Sequence, residues 1–414
     1  MYRSLALFAI LLAGTGPATA LTLSVSDIAA RVRSSHPSLK AARLTISEAL
    51  GRRLGAGRLA NPVAGYDFQN QSNVSPQTSV FSIDQSFPIT RRLSLEKKLT
   101  SQLVTAAELE VRDAERRYIA EAQSVAVRLL AVGKQQALRQ QQTELAKKLS
   151  SFAEGRAKAG EVSKLDAKQI QLDTQRLRVE ARLLEAESVS LLGQLRPMLG
   201  LRSEDALKVS GDLPPMVLPA ISSWVKRPDY QLAQTRIMAA GTDKDLARAK
   251  RIPDVTAGFF ASREMQDVTP DNRERTGFLG FRISVPLPFW NRNQGEIAEK
   301  TAAAERAQLE SAALAVQING EAGTARQEME TNASIVKETR DTLLPLAVEQ
   351  STEVQKAYEA GQADLLTVLR TRDQRLQLEA AILSAIRDFH LARIRYEAAV
   401  GKHAPAQTSP AVLP

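Results

Sequence analysis

Along residues 276–297, TGFLGFRISVPLPFWNRNQGEI, apolar or small side chains fall at every second position: Gly277, Leu279, Phe281, Ile283 and Val285. Thr276, Gly280, Arg282 and Ser284 point the other way, and only Phe278 interrupts the alternation. This is the period of a strand with one apolar and one polar face. Pro286, Pro288 and Gly295 end ladder pairing, and Glu296 opens a helical run. The same corner occurs in FSIDQSFPI at 81–89, which lies over FRISVPLPF at 281–289 at an offset of 200. Pro37/Pro228 and Pro62/Pro253 keep an offset of 191, and Gly160/Gly361 and Gly200/Gly401 one of 201. The spacing predicts a tandem duplication, with a longer loop in the second copy to absorb the shift of nine between Pro62 and Phe81.

The pattern predicts a helix over 23–59, with Ser26, Asp27 and Ser38 as N-terminal signals, then strands over 64–72 and 78–87. Residues 90–151 hold no proline and only Gly133, and apolar positions step through Tyr118, Ala122, Val125, Leu129 and Val132. That is one helix of about sixty residues, roughly 90 Å long. A turn over 152–162 and an N-cap at Ser163 lead into a return helix that ends before Pro197 and Gly200. The second copy repeats the course: helix 230–251, strands 255–262 and 276–285, helix 296–357 with a bend or register adjustment at Pro345, a turn at Gly361 and a return helix 364–399. The expected organisation is a signal peptide over 1–20, a first repeat over 21–209, a linker over 210–225, a second repeat over 226–402 and a disordered tail over 403–414.

Composition narrows the chemistry. Arg3, an apolar run from Leu5 to Ala13 and Ala18-Thr-Ala20 read as a secretory signal. No other stretch reaches the apolar length of a membrane-spanning helix. With no cysteine there are no disulfides or thiolate metal sites, and Leu21 at the new N-terminus carries no lipid. The net charge of +9 is spread along mixed-sign helices, which argues against a nucleic-acid partner. His36, His390 and His403 are scattered, and no phosphate loop, dinucleotide fingerprint or zinc motif occurs, so neither an enzyme, a cofactor nor a metal site is expected.

The strands then decide between architectures. A small sheet on helices is the common outcome, but the polar faces carry Asp67, Asp84 and Arg282, charges that a closed core rejects. The alternation fits a transmembrane barrel, with Phe81, Leu279, Phe281 and Ile283 toward lipid and Asp84, Arg282 and Ser284 toward the lumen. Lipid tolerates no open edge, so four strands must share a barrel with other chains; eight, twelve or sixteen strands are physically possible. The expected fold class is therefore a mixed membrane protein of two tandem repeats, each giving two strands to a shared transmembrane β-barrel and long antiparallel helices to a periplasmic helical barrel. An exported structural coiled coil is the alternative from another class.

Over essentially the whole mature chain this pattern resembles the TolC family of outer-membrane efflux and secretion channels. VPLPFWNRNQGE at 285–296 and Asn61-Pro62 resemble the outer-membrane components of cobalt-zinc-cadmium type efflux systems. The resemblance implies a homotrimer with a twelve-stranded barrel in the outer membrane of a Gram-negative cell, partnered by a periplasmic adaptor and an inner-membrane RND pump. A duct for drugs or exported proteins stays open within the family. The tips at Gly160 and Gly361 correspond to the family's periplasmic mouth, where acids often stand six and nine residues after the second glycine. Here those positions hold Thr367 and Arg370, while Asp166 keeps the sixth-position acid of the first copy and Asp364 stands off register. These tips are expected to form the gate and the adaptor-docking surface.

Overall fold

The computed structural model describes residues 21–70, 77–269 and 272–402. The expected signal segment, the hairpin residues 71–76 and the expected tail, with His403, lie outside the described residues. The chain runs β1 (Leu21–Leu23), α1 (Val25–Ser35), α2 (Pro37–Gly55), β2 (Val63–Asn70), β3 (Gln77–Phe87), α3 (Arg92–Lys158), α4 (Lys164–Met198) and β4 (Leu207–Val209). It continues with α5 (Pro228–Ala249), β5 (Val255–Thr269), β6 (Asn272–Ser284), α6 (Gln294–Glu338), α7 (Leu344–Glu359) and α8 (Leu365–Ala399). Helix, strand pair, long helix and return helix thus follow one another twice. The residues group into two compact units, one of residues through Lys40, Ala114–Trp224 and from Gly320, the other of Ala41–Asp113 and Val225–Asn319.

In the first unit the stripe read from the sequence is the core: Ala122, Val125, Leu129 and Val132 of α3 are buried against Ile28, Val32, Leu191, Leu195 and Leu199. Each such leucine contributes roughly 1.5–3 kcal/mol by leaving water. The single helix expected over 23–59 is two helices. Ser24 rather than Ser26 starts α1, its amide donating to Asp27 Oδ2 at 3.1 Å. At the break, His36 Nδ1 accepts the Leu39 amide at 3.3 Å, Pro37 opens α2, and the imidazole stacks on Tyr118 at 4.1 Å. Proline fits a first helical turn but ends the helix before it, which is why one periodic run became two elements. The pattern also missed β1 and β4, a three-residue parallel pair with Leu21 opposite Leu207. Pairs that short depend on tertiary neighbours and leave no periodicity.

The expected turn over 152–162 is shorter, because α3 runs through Gly155 to Lys158. An isolated helical glycine costs only about 1 kcal/mol. Ahead of Pro345 the chain takes a five-residue π-helical stretch, Thr339–Leu343. The missing proline N–H is thus absorbed as a register adjustment. Residues 210–224 hold no helix or strand but are tied down: Tyr396 donates to the Ala220 carbonyl at 3.3 Å and accepts the Ser222 amide at 3.2 Å.

The second unit carries an antiparallel sheet in the order β2-β3-β5-β6, so β2 and β6 are open edges. The extra residues of the second hairpin lie in its strands and not in a longer loop: β5 has 15 residues and β6 13, against 8 in β2 and 11 in β3. Their outer ends are charged on both sides, so the sequence shows no apolar alternation there. At the corner into α6, Asn293 takes a left-handed φ of 59°. Its side-chain amide donates to the Ala247 carbonyl at 3.0 Å and to Glu296 at 2.6 Å. Asparagine tolerates this conformation where most residues do not.

Candidate functional site

Cross-strand register sorts the sheet's side chains onto two faces, since residues opposite one another share a face. Phe81, Ala261 and Leu279 form one row, Ile83, Phe259 and Phe281 the next, and Gln85, Ala257 and Ile283 a third. This apolar face is bare: Leu279 and Phe281 are 77% and 78% exposed, and Phe81 and Ile283 are also exposed. Among the described residues no helix covers it, so the common sheet-on-helix arrangement is not adopted there.

The opposite face carries Asp84, Gly258 and Arg282 in one row. Arg282 Nε donates to Asp84 Oδ1 at 2.9 Å, and its Nη2 donates to Oδ2. The pair reaches over the intervening strand because Gly258 has no side chain; a Cβ there would lie 1.9 Å from Asp84 Oδ1. One row on, Ser86, Thr256 and Ser284 are aligned, with Ser86 and Thr256 hydroxyls 3.1 Å apart. Phe260 lies over Gly280, whose added Cβ would come within 2.5 Å of the ring. The sequence reading placed Asp84, Arg282 and Ser284 together but missed the two glycines, although glycine inside a strand signals close approach.

The helical tips lie within the first unit. Gly160 and Gly361 adopt φ of 80° and 77°. Each closes its helix in the same way, with Glu161 N donating to Arg156 O at 2.9 Å and Gln362 N to Ala357 O at 2.7 Å. Left-handed glycine at this position satisfies the last helix carbonyls. Three residues on, each return helix is capped: Ser163 Oγ accepts the Leu165 amide at 3.1 Å, and Asp364 Oδ1 accepts the Thr367 amide at 2.8 Å. Those bonds to Thr367, with the Arg370 charge nearby, hold the Asp364 carboxyl below the usual range.

The two tips meet in one cluster of Ala153, Ala167, Ile170, Tyr358, Leu365 and Val368. The Tyr358 hydroxyl is buried without a partner among the described residues. Burial first, then the Asp166 charge, raises its pKa. Asp166 is half-buried beside this cluster, whereas Thr367 and Arg370 are exposed. Behind the tips an ionic network ties α3, α4 and α8: Arg176 meets Asp173 at 3.2 Å and Asp373 at 3.4 Å, Arg139 meets Glu180 at 3.2 Å, and Arg372 donates to the Gln142 carbonyl at 3.0 Å. Sequence reading missed it, because partners on separate helices leave no spacing signal. Among the described residues no group of three metal-ligating side chains occurs. No described helix is long and apolar enough to cross a membrane.

Solved membrane proteins share this fold. VceC of Vibrio cholerae, an outer membrane protein, superposes with a TM-score of 0.75 at 18% identity, covering 91% of this chain and 96% of that one. A membrane protein of Pseudomonas aeruginosa gives a TM-score of 0.77 at 17% identity, covering 91% and 92%. By sequence, residues 223–402 match the family of outer membrane efflux proteins. The chain thus shares its fold with these membrane proteins, and its similarity to the outer membrane efflux family is carried by residues 223–402. It is also 24% identical over 279 residues to the cobalt-zinc-cadmium resistance protein CzcC of Cupriavidus metallidurans, an alignment that spans 64% of this chain and 60% of that relative.

Proposed function

We propose that the chain is the outer-membrane exit duct of a tripartite efflux system, built as a homotrimer and conducting heavy-metal cations passively. The observation that carries this reading is the four-stranded sheet with two open edges and an exposed apolar face. Hydrocarbon accepts such a sheet only once its edges are closed, and twelve strands from three copies close it. In that arrangement the two halves of the chain act as tandem repeats, Phe81, Leu279, Phe281 and Ile283 face lipid, and Asp84, Arg282 and Ser284 line the lumen. The helices extend the duct into the periplasm toward an adaptor and an RND pump. The likeness to CzcC supports a metal cargo.

The tips around Gly160, Asp166, Gly361, Asp364, Thr367 and Arg370 form the periplasmic mouth in this reading. Each chain brings one acid, Asp166, and one base, Arg370, to nearly equivalent positions, so neighbouring protomers can latch the mouth with alternating pairs. Exposed pairs of this kind are each worth at most about 1 kcal/mol, which suits a gate that a partner must open. Single-channel recording on the purified protein in planar bilayers tests the reading. The parent should conduct weakly, and D166A combined with R370A should raise open probability and reduce its dependence on salt. Parent-like conductance in both single variants and in the double variant would refute the latch, and absence of any channel would refute the duct.

A further inference from the structure

All four connections between sheet and helices leave from one end of the sheet, after α2 and α5 and before α3 and α6. That end carries an unusual set of side chains. Leu59, Ile89, Ile252, Leu287, Phe289 and Trp290 are all exposed, Trp290 by 90%. They lie in the connections between the last ladder pairs and the helices. Just beyond them stand Arg58, Arg91, Arg251 and Arg292, all exposed and without an ion-pair partner among the described residues. The acids of this rim are already taken: Asp254 pairs with Arg92 at 2.6 Å, and Glu296 with Lys250 at 3.2 Å.

We propose that this rim is a binding site for anionic phospholipid. Trp290 and its apolar neighbours sit at the acyl boundary, and the four arginines bind the phosphates of the periplasmic-leaflet headgroups. Tryptophan belongs at such boundaries because its ring is apolar and its N–H is wet. Arginine beyond it presents a fork that matches phosphate oxygens. The order along the chain, apolar face, aromatic rim and then unpaired cations, is the order of a leaflet from tail to headgroup. A soluble acidic partner would engage the charges but would leave Trp290 in water. The inference rests on the outer-membrane reading above and adds a lipid class to it.

The chain holds two tryptophans, Trp224 and Trp290, so W224F leaves Trp290 as the only indole reporter. The full-length W224F protein is reconstituted into phosphatidylcholine vesicles containing phosphatidylglycerol, with bromine on the acyl chains of one lipid or the other. Brominated phosphatidylglycerol should quench Trp290 more strongly, corresponding to roughly fivefold enrichment at low salt, and inorganic phosphate should not reverse it. Glutamine at all four arginines should bring the two lipids to parity, and each single replacement, R58Q, R91Q, R251Q or R292Q, should lower the enrichment partway. Where W224F disturbs folding, subtracting the W290F signal from the parent's gives the same quantity. Equal quenching by both lipids in the parent, enrichment that survives all four replacements, or a Trp290 that no brominated lipid quenches would overturn the proposal. In each of these outcomes the protein still inserts and conducts, whereas failure to enter vesicles at all would overturn the outer-membrane reading as well.

Discussion

Gly258 is the residue on which the sheet's two-faced character turns. Because it lacks a side chain, Asp84 and Arg282 meet across β5 on one face, while Phe81, Leu279, Phe281 and Ile283 lie on the other. The alternation that separates these residues was legible in the sequence, since a strand's period of two needs no knowledge of its neighbours. The bridge was not, because it depends on strands 198 positions apart coming into register with a glycine between them. The faces predict opposite responses. L279R should cost roughly 2–4 kcal/mol near the bilayer midplane and reduce the yield of assembled channel measured in outer-membrane fractions. D84N or R282Q should assemble like the parent and change ion selectivity in bilayer recordings; the reverse ranking would mean that the lipid and lumen faces are exchanged.

Among the elements, the long helices were legible because their apolar steps of three and four run unbroken, as from Ala122 to Val132. The boundary at His36 and the outer ends of β5 and β6 were not, since helix caps and charged ladder ends are decided by local hydrogen bonds and pairing. The docking of the linker onto α8 is another tertiary fact, and it brings a titratable group with it. His390 of α8 is buried, its ring bonded to the Pro214 carbonyl while Nε2 has no partner among the described residues. Burial, with Arg393 nearby, lowers its pKa from 6.5 to about 4. The unfolded chain therefore binds this proton more readily than the folded one between those values. The neutral ring's contribution is complete above pH 6.5, is lost progressively as pH falls, and levels off below about 4. Chemical denaturation of the parent and H390Q should show the parent losing more stability than the variant between pH 7 and 5, by on the order of 2 kcal/mol. Parallel pH curves would show that His390 is not protonated on unfolding.

At the scale of the whole molecule, the chain carries a four-stranded sheet whose two edges it leaves open. Four strands with free edges at β2 and β6 leave unpaired backbone groups that water can satisfy but hydrocarbon cannot. The sequence showed that strands were too few and too amphipathic for a closed sheet, and it left eight, twelve and sixteen strands open, because shear and strand tilt are properties of the assembled barrel. The fold of the single chain is shared with the outer membrane protein VceC. The most direct measurement of the central claim is the molar mass of the detergent-solubilised protein by light scattering, with the detergent contribution subtracted. A stable particle of three protomers is the expected result, and a stable monomer that still forms channels would contradict the shared barrel.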